Sequence, residues 1–303
     1  MRIAKSFGLV VLAAVCAQAQ PAKVRIDADR LMATVTLLAD PKFEGRAAGS
    51  PGGIAARGVI AERFRSAGLQ PIDGGYLKPF TFARKSATDV QVGAANIIGL
   101  CPGKDPSLPV FVVSAHYDHL GIRDGVIYPG ADDNASGVAV LLELAAYCAR
   151  NPFRRSIVFA AFDAEEGGLN GARAFVASPP VPKDRIGLNV NLDMVSRNDK
   201  REIYIAGTSH TPALKAPLER VAATARVKVR FGHDRTGSGS DDWTTQSDHY
   251  AFHAAKIPFV YVGVEDHPDY HKPTDTADKI NRAFFADVAE TVLDALAALD
   301  TAR

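Results

Sequence analysis

The chain has 303 residues, 47% apolar and 23% charged, with 35 Lys plus Arg against 34 Asp plus Glu and a formal net charge of +1. That balance gives no long-range field to gather phosphate backbones or anionic lipid, and no block of like charge stands along the chain, so nucleic-acid and membrane-surface roles are disfavoured. A chain this long buries enough surface for one large core without staples.

Met1 to Gln20 is unlike the rest. Arg2 and Lys5 precede an apolar run from Phe7 to Val15, and Ala17-Gln18-Ala19 puts small residues at both cleavage-site positions, so residues 1–19 are expected to be a secretory signal peptide. The apolar stretch is shorter than the ~20 residues that cross a bilayer. Cys16 follows Val15 where a lipoprotein signal has Gly, Ala or Ser, which weighs against lipidation. The remainder, residues 20–303, is expected to be one domain of an exported protein, periplasmic or secreted. It keeps Cys101 and Cys148, whose pairing the spacing leaves open.

Apolar residues recur at helical spacing over Asp27–Ala39 and again over Gly52–Ala67, where Gly68 closes the pattern. Short β-rich runs follow at Phe80–Phe82 and Asn96–Leu100, then Val110–Val113, an unbroken apolar run of the kind buried on both faces. Similar runs stand at Ser156–Phe162, Leu188–Leu192, Glu202–Ala206 and Ile257–Val262. Helical stretches separate them at Gly137–Arg150, Leu169–Ala177 and Thr211–Ala225, with a last one at Asn281–Leu299. This alternation predicts an α/β fold: a mixed, mostly parallel central sheet flanked by helices on both faces. No repeat, low-complexity tract or Ser/Gly-rich linker divides it.

Ligands of open α/β sheets bind at the carboxyl ends of the strands. Here those ends deliver His116-Tyr117-Asp118-His119, Asp163-Ala164-Glu165-Glu166, Asp193, and Glu265-Asp266-His267 followed by His271. An acidic turn, Asp132-Asp133, opens the helix at Gly137. Any one of these carboxylates alone reads as a helix cap or a solvated loop residue. Together, paired carboxylates crowded beside an apolar sheet repel one another unless cations neutralise them, which points to a metal site. Mixed His and carboxylate donors without Cys suit zinc before cobalt or manganese.

In their order these segments resemble the two-zinc aminopeptidases, whose wider relatives include glutamate carboxypeptidases and glutaminyl cyclases. The resemblance runs from about Phe43 to the C-terminus. It rests on His116-Tyr117-Asp118, on Gly130 to Gly137, on Glu165 to Gly171, on Asn191-Leu192-Asp193-Met194, on Ser247-Asp248-His249 and on Tyr270 to Thr276. It implies a zinc exopeptidase-like fold and two Zn2+ per chain: His116 and Asp193 on one ion, Glu166 and His271 on the other, Asp132 bridging. It also implies Glu165 as general base, Asp118 as the acceptor of the second imidazole N–H of His116, and a cis peptide between Asp132 and Asp133. His267 lies four residues before His271, but only His271 carries the following Asp275-Thr276 of the pattern.

The activity implied is hydrolysis of peptide substrates, releasing N-terminal residues, with a carboxypeptidase or aminoacylase as alternatives. A one-zinc glutaminyl cyclase or a non-catalytic binder would not need the full ligand set. Residues between Gly75 and Ala95 are too few for an inserted protease-associated domain, so a bare catalytic domain is expected, without nucleic-acid or stable membrane association. His119, His210, His233, His249 and His253 read as surface, core or pocket residues rather than ligands.

Overall fold

Each unbroken apolar run becomes a strand, and each helically spaced run a helix. The computed structural model describes residues 25–84 and 87–302, so the expected signal peptide lies outside the described residues. Along the chain the elements are α1 (Ala28–Leu38), α2 (Pro51–Ala67), β1 (Gln70–Pro71), β2 (Leu77–Arg84), β3 (Ala87–Cys101), β4 (Val110–His116), β5 (Gly121–Arg123), β6 (Val126–Tyr128) and α3 (Gly137–Arg150). Then come β7 (Ile157–Phe162), α4 (Asn170–Ala177), β8 (Ile186–Leu192), β9 (Glu202–Ala206), α5 (Lys215–Ala222), β10 (Lys228–Phe231), α6 (His249–Ala254), β11 (Phe259–Gly263) and α7 (Arg282–Thr301).

Nine strands form one sheet in the order β1-β3-β7-β4-β8-β11-β9-β10, with β2 paired to β3. The central four, β7, β4, β8 and β11, run parallel, while β3 and β9 join them antiparallel on either side. The sheet is therefore mixed and mostly parallel at its centre, as the sequence predicts. Successive side chains of a strand point to opposite faces. Accordingly Phe111, Val113 and Ala115 of β4 enter one core with Leu31, Ile60, Leu141 and Phe285 from α1, α2, α3 and α7. Val110 and Val112 enter a second core with Phe175 of α4 and Phe252 of α6. Burying each such side chain contributes about 1.5–3 kcal/mol.

Cys101 and Cys148 form a disulfide with Cα atoms 6.4 Å apart, tying the end of β3 to α3. The strands β5 and β6 make a small antiparallel hairpin that is not among the elements expected from the sequence. Its two turn residues, Asp124 and Gly125, have φ of 50° and 76°, as the tight two-residue hairpin turn requires. No helix among the described residues is long and apolar enough to cross a membrane.

Candidate metal centre

Four segments converge because four parallel strands stop at one level. His116 is the last residue of β4; Asp163 to Glu166 follow β7; Asp193 follows β8; and the chain leaving β11 returns with Tyr270 and His271. His116, Asp193, Tyr270 and His271 line a cavity of about 400 Å³ together with Asp133, Glu165, Glu166 and Asp266. His116 Nε2 lies 3.2 Å from Asp193 Oδ1 and 3.4 Å from Asp133 Oδ1. His271 Nε2 lies 3.1 Å from Asp133 Oδ2 and 3.3 Å from Glu166 Oε2. Asp133 therefore faces both histidines with one oxygen each.

Asp132, the expected bridge, is elsewhere. Its Oδ1 accepts hydrogen bonds from the backbone N–H and the hydroxyl of Ser196 at 2.9 and 2.6 Å, and its Oδ2 is 3.1 Å from His267 Nε2. Asp133 (φ −101°, ψ 96°) and Asn134 (φ −131°, ψ 39°) both leave the helical region within the turn, so the neighbouring side chains of Asp132 and Asp133 leave on opposite sides. The aspartate that faces both histidines is thus one residue further along than expected, and the cis peptide is Asp133-Asn134 rather than Asp132-Asp133. His267 pairs with Asp132 outside the cavity, and His271 is the histidine brought to the cluster. The turn is held by Asp275, which accepts from the backbone N–H of Asp132 and of Asp133. Asn134 pins it to the end of β8, donating to the Leu192 carbonyl and accepting from Met194 N.

Asp118 also differs from expectation. The partner of His116 Nδ1 is the main-chain carbonyl of Asp118 at 3.1 Å, while the carboxylate stands 3.8 Å away. That carbonyl can hold Nδ1 protonated and leave Nε2 free for a cation. The carboxylate instead accepts the backbone N–H groups of Glu165 and Glu166 at 3.0 and 3.3 Å. These glutamates lie not on an extended strand but in the turn after β7, where Ala164 has φ 58° and Glu165 O accepts from Gly168 and Leu169.

Behind Asp193 runs a chain of buried hydrogen bonds absent from the sequence reading. Asn189 donates to Ser114 Oγ, which donates to Asn191 Oδ1; Asn191 donates to Ser247 Oγ, which donates to Asp193 Oδ2 at 2.6 Å. His119, expected to be no ligand, lies against the cluster with Nδ1 2.7 Å from Glu166 Oε1. Its adjacency to the His116-Tyr117-Asp118 segment was the available signal. His249 is core: burial lowers it to about 4, and it bonds to the Trp243 carbonyl.

The electrostatics call for cations. Burial pushes Glu165 well above the ordinary glutamate range, reinforced by Asp248, Asp193 and Glu166. Burial opposes protonation of His271, yet its hydrogen bonds to Asp133 and Glu166 raise it to about 10. His116 is likewise raised well above its ordinary value, against burial, by Asp193 and Glu165. Donor atoms of His116, Asp133 and Asp193, and of His119, Asp133 and Glu166, form two groups, each within 4.8 Å and sharing Asp133. Glu166 Oε1 is buried without an aligned hydrogen-bond donor. Oxygen and imidazole donors in two adjoining sets fit two zinc ions.

Residues 96–296 match the family described as Peptidase family M28. The chain is 32% identical over 228 residues to aminopeptidase YwaD of Bacillus subtilis, covering 71% of this chain and 47% of that protein. It is 34% identical over 202 residues to a probable zinc metalloprotease of Pyricularia oryzae, covering 62% of this chain and 37% of that one. The chain thus spans about half or less of the length of these curated relatives. Among solved structures, the zinc aminopeptidase BSAP of Bacillus subtilis has a TM-score of 0.75 at 18% identity over 90% of this chain and 95% of its own. Glutaminyl cyclase of Bacteroides thetaiotaomicron has 0.69 at 19%, over 90% and 98%. At those identities the likeness is one of fold.

Proposed function

The chain belongs to peptidase family M28, and from that premise we propose that it is a two-zinc aminopeptidase. Its ligands are His116 and Asp193 on one ion, Glu166 and His271 on the other, and Asp133 between them. The observation that carries this reading is the sharing of Asp133, whose two oxygens stand 3.4 and 3.1 Å from the two histidines. When bound, the ions supply Lewis acidity, lowering the pKa of water and polarising the scissile carbonyl.

The rest falls to the chain. Glu165 lines the same cavity beside Glu166 and is not one of the five proposed ligands, so it is free to take a proton from water and hand it to the leaving amine. Burial raises its affinity for a proton above that of an ordinary glutamate, the direction a general base needs. Asp118 holds the turn that aims Glu165 and Glu166 in different directions. Tyr270, stacked on His271 at 4.0 Å, lines the cavity with a phenol kept protonated by burial, a donor for the substrate oxygen.

Charge favours the amino end of the substrate. Beyond the three ligand carboxylates the wall carries Glu165 and Asp266, which attract an ammonium. Arg173, the cation of the wall, is engaged by the Tyr250 ring and the Gly168 carbonyl, which competes with its use by a substrate carboxylate. Leucyl arylamide and its N-acetyl derivative separate the cases. Cleavage of the free-amine compound alone, stopped by chelator, is expected; cleavage of the acetylated compound, or release of C-terminal residues from blocked peptides, would overturn the aminopeptidase reading.

A further inference from the structure

The two non-bridging carboxylates of the centre are oriented in the same manner. Asp193 gives Oδ2 to the Ser247 hydroxyl and turns Oδ1 toward His116. Glu166 turns Oε2 toward His271, and its Oε1 meets Nδ1 of His119 at 2.7 Å. The His119 side chain is wholly buried. Neither of its ring nitrogens makes an aligned hydrogen bond among the described residues, and the carboxylate nearest to it is that of Glu166. The ring lies against Gly130: a Cβ there would stand 2.5 Å from His119 Cγ and Cδ2. Gly130 has φ +57° and begins the turn that carries Asp133. The fold therefore makes room for an imidazole at this spot.

The distance distinguishes two roles. Donors that share a tetrahedral zinc at ~2.0–2.1 Å keep about 3.3 Å between them. The four contacts among His116, His271, Asp133, Asp193 and Glu166 are 3.1 to 3.4 Å. The His119–Glu166 contact alone is shorter, at the separation of a charge-assisted hydrogen bond, though Oε1 lies off the ring N–H axis. His119 is also 3.6 Å from Asp133 Oδ2. We propose that His119 is a positioning residue of the Glu166 half of the centre: its Nδ1–H donates to Glu166 Oε1, leaving Oε2 as the oxygen that faces the ion. It does on this side what Ser247 does for Asp193.

The inference rests on the two-metal reading and is tested by metal affinity rather than by turnover. His119→Leu keeps bulk and removes the donor; His119→Asn keeps an amide N–H near the Nδ1 position. Cobalt(II) titration of the stripped chain, followed by visible absorption and chelator competition, reads the affinity of each half, with thermal melting to verify folding. The Leu variant is expected to bind the ion of the Glu166 half about 10–100-fold more weakly, the His116 half being unchanged, and the Asn variant to recover most of the loss. Wild-type affinities in the Leu variant would overturn the proposal. So would an Asn variant as weak as Leu, which would make His119 a ligand. If the wild type saturates at one ion, the two-metal reading fails, and the same comparison on that ion still decides the role of His119.

Discussion

Asp132 and Asp133 are adjacent, identical and equally buried from solvent, yet they have different tasks. Asp133→Ala is expected to lose both ions, because it alone faces both histidines. Asp132→Ala is expected to keep both and to lose stability, since its carboxylate holds Ser196 and His267. Elemental analysis decides; a D133A chain that retains a full ion, or a D132A chain that retains none, would reverse the assignment. The choice was not legible in the sequence: it depends on one pair of backbone angles at Asp133, whereas the residue types and their order were enough to single out His116, Glu165, Glu166, Asp193 and His271. Proton linkage gives a second check. Without ions, His271 stays protonated up to about pH 10 and His116 is raised as well, whereas ligation requires neutral imidazole. Metal uptake at pH 8 should therefore release protons, and affinity should rise with pH until His271 has titrated. Calorimetry in buffers of different ionisation enthalpy measures this; uptake without proton release would contradict it.

At the level of elements, what the sequence could show was set by how far each strand is buried. The strands β4, β7, β8 and β11 are buried on both faces, and their mainly apolar runs announce themselves even though Ser114, Asn189 and Asn191 put polar groups inside; their carboxyl ends name the site. The β5–β6 hairpin has three-residue strands with exposed Ile122 and Val126, leaving the Asp124-Gly125 turn as its only mark. Less visible still is Arg46, fully buried between elements distant in the chain. It donates to the carbonyls of Leu38, Tyr117, Pro129 and Gly130, joining α1, the end of β4 and the turn before Asp133. Burial depresses its guanidinium to about 10. Arg46→Leu leaves buried carbonyls without donors and is expected to cost at least ~3 kcal/mol in denaturant unfolding, metal binding weakening with it. A loss below about 1 kcal/mol would show that water or a rearranged loop satisfies those groups.

For the molecule as a whole, a sheet whose four central strands run parallel collects acids and imidazoles at one end, and helices pack on both of its faces. The turns after β7 and at Asp133 and the return from β11 line the cavity of about 400 Å³ at this end of the sheet. Family membership and the shared Asp133 lead to the same claim, that two ions activate water beside a glutamate base. Glu165→Gln tests that claim most directly, with metal content and arylamide turnover measured on the same preparation. Two zinc ions per chain in both proteins, with kcat lowered by ~10²–10⁴ in the variant, is the result predicted. Undiminished turnover in the variant would contradict the role of Glu165, and a single ion in the wild type would contradict the two-metal centre.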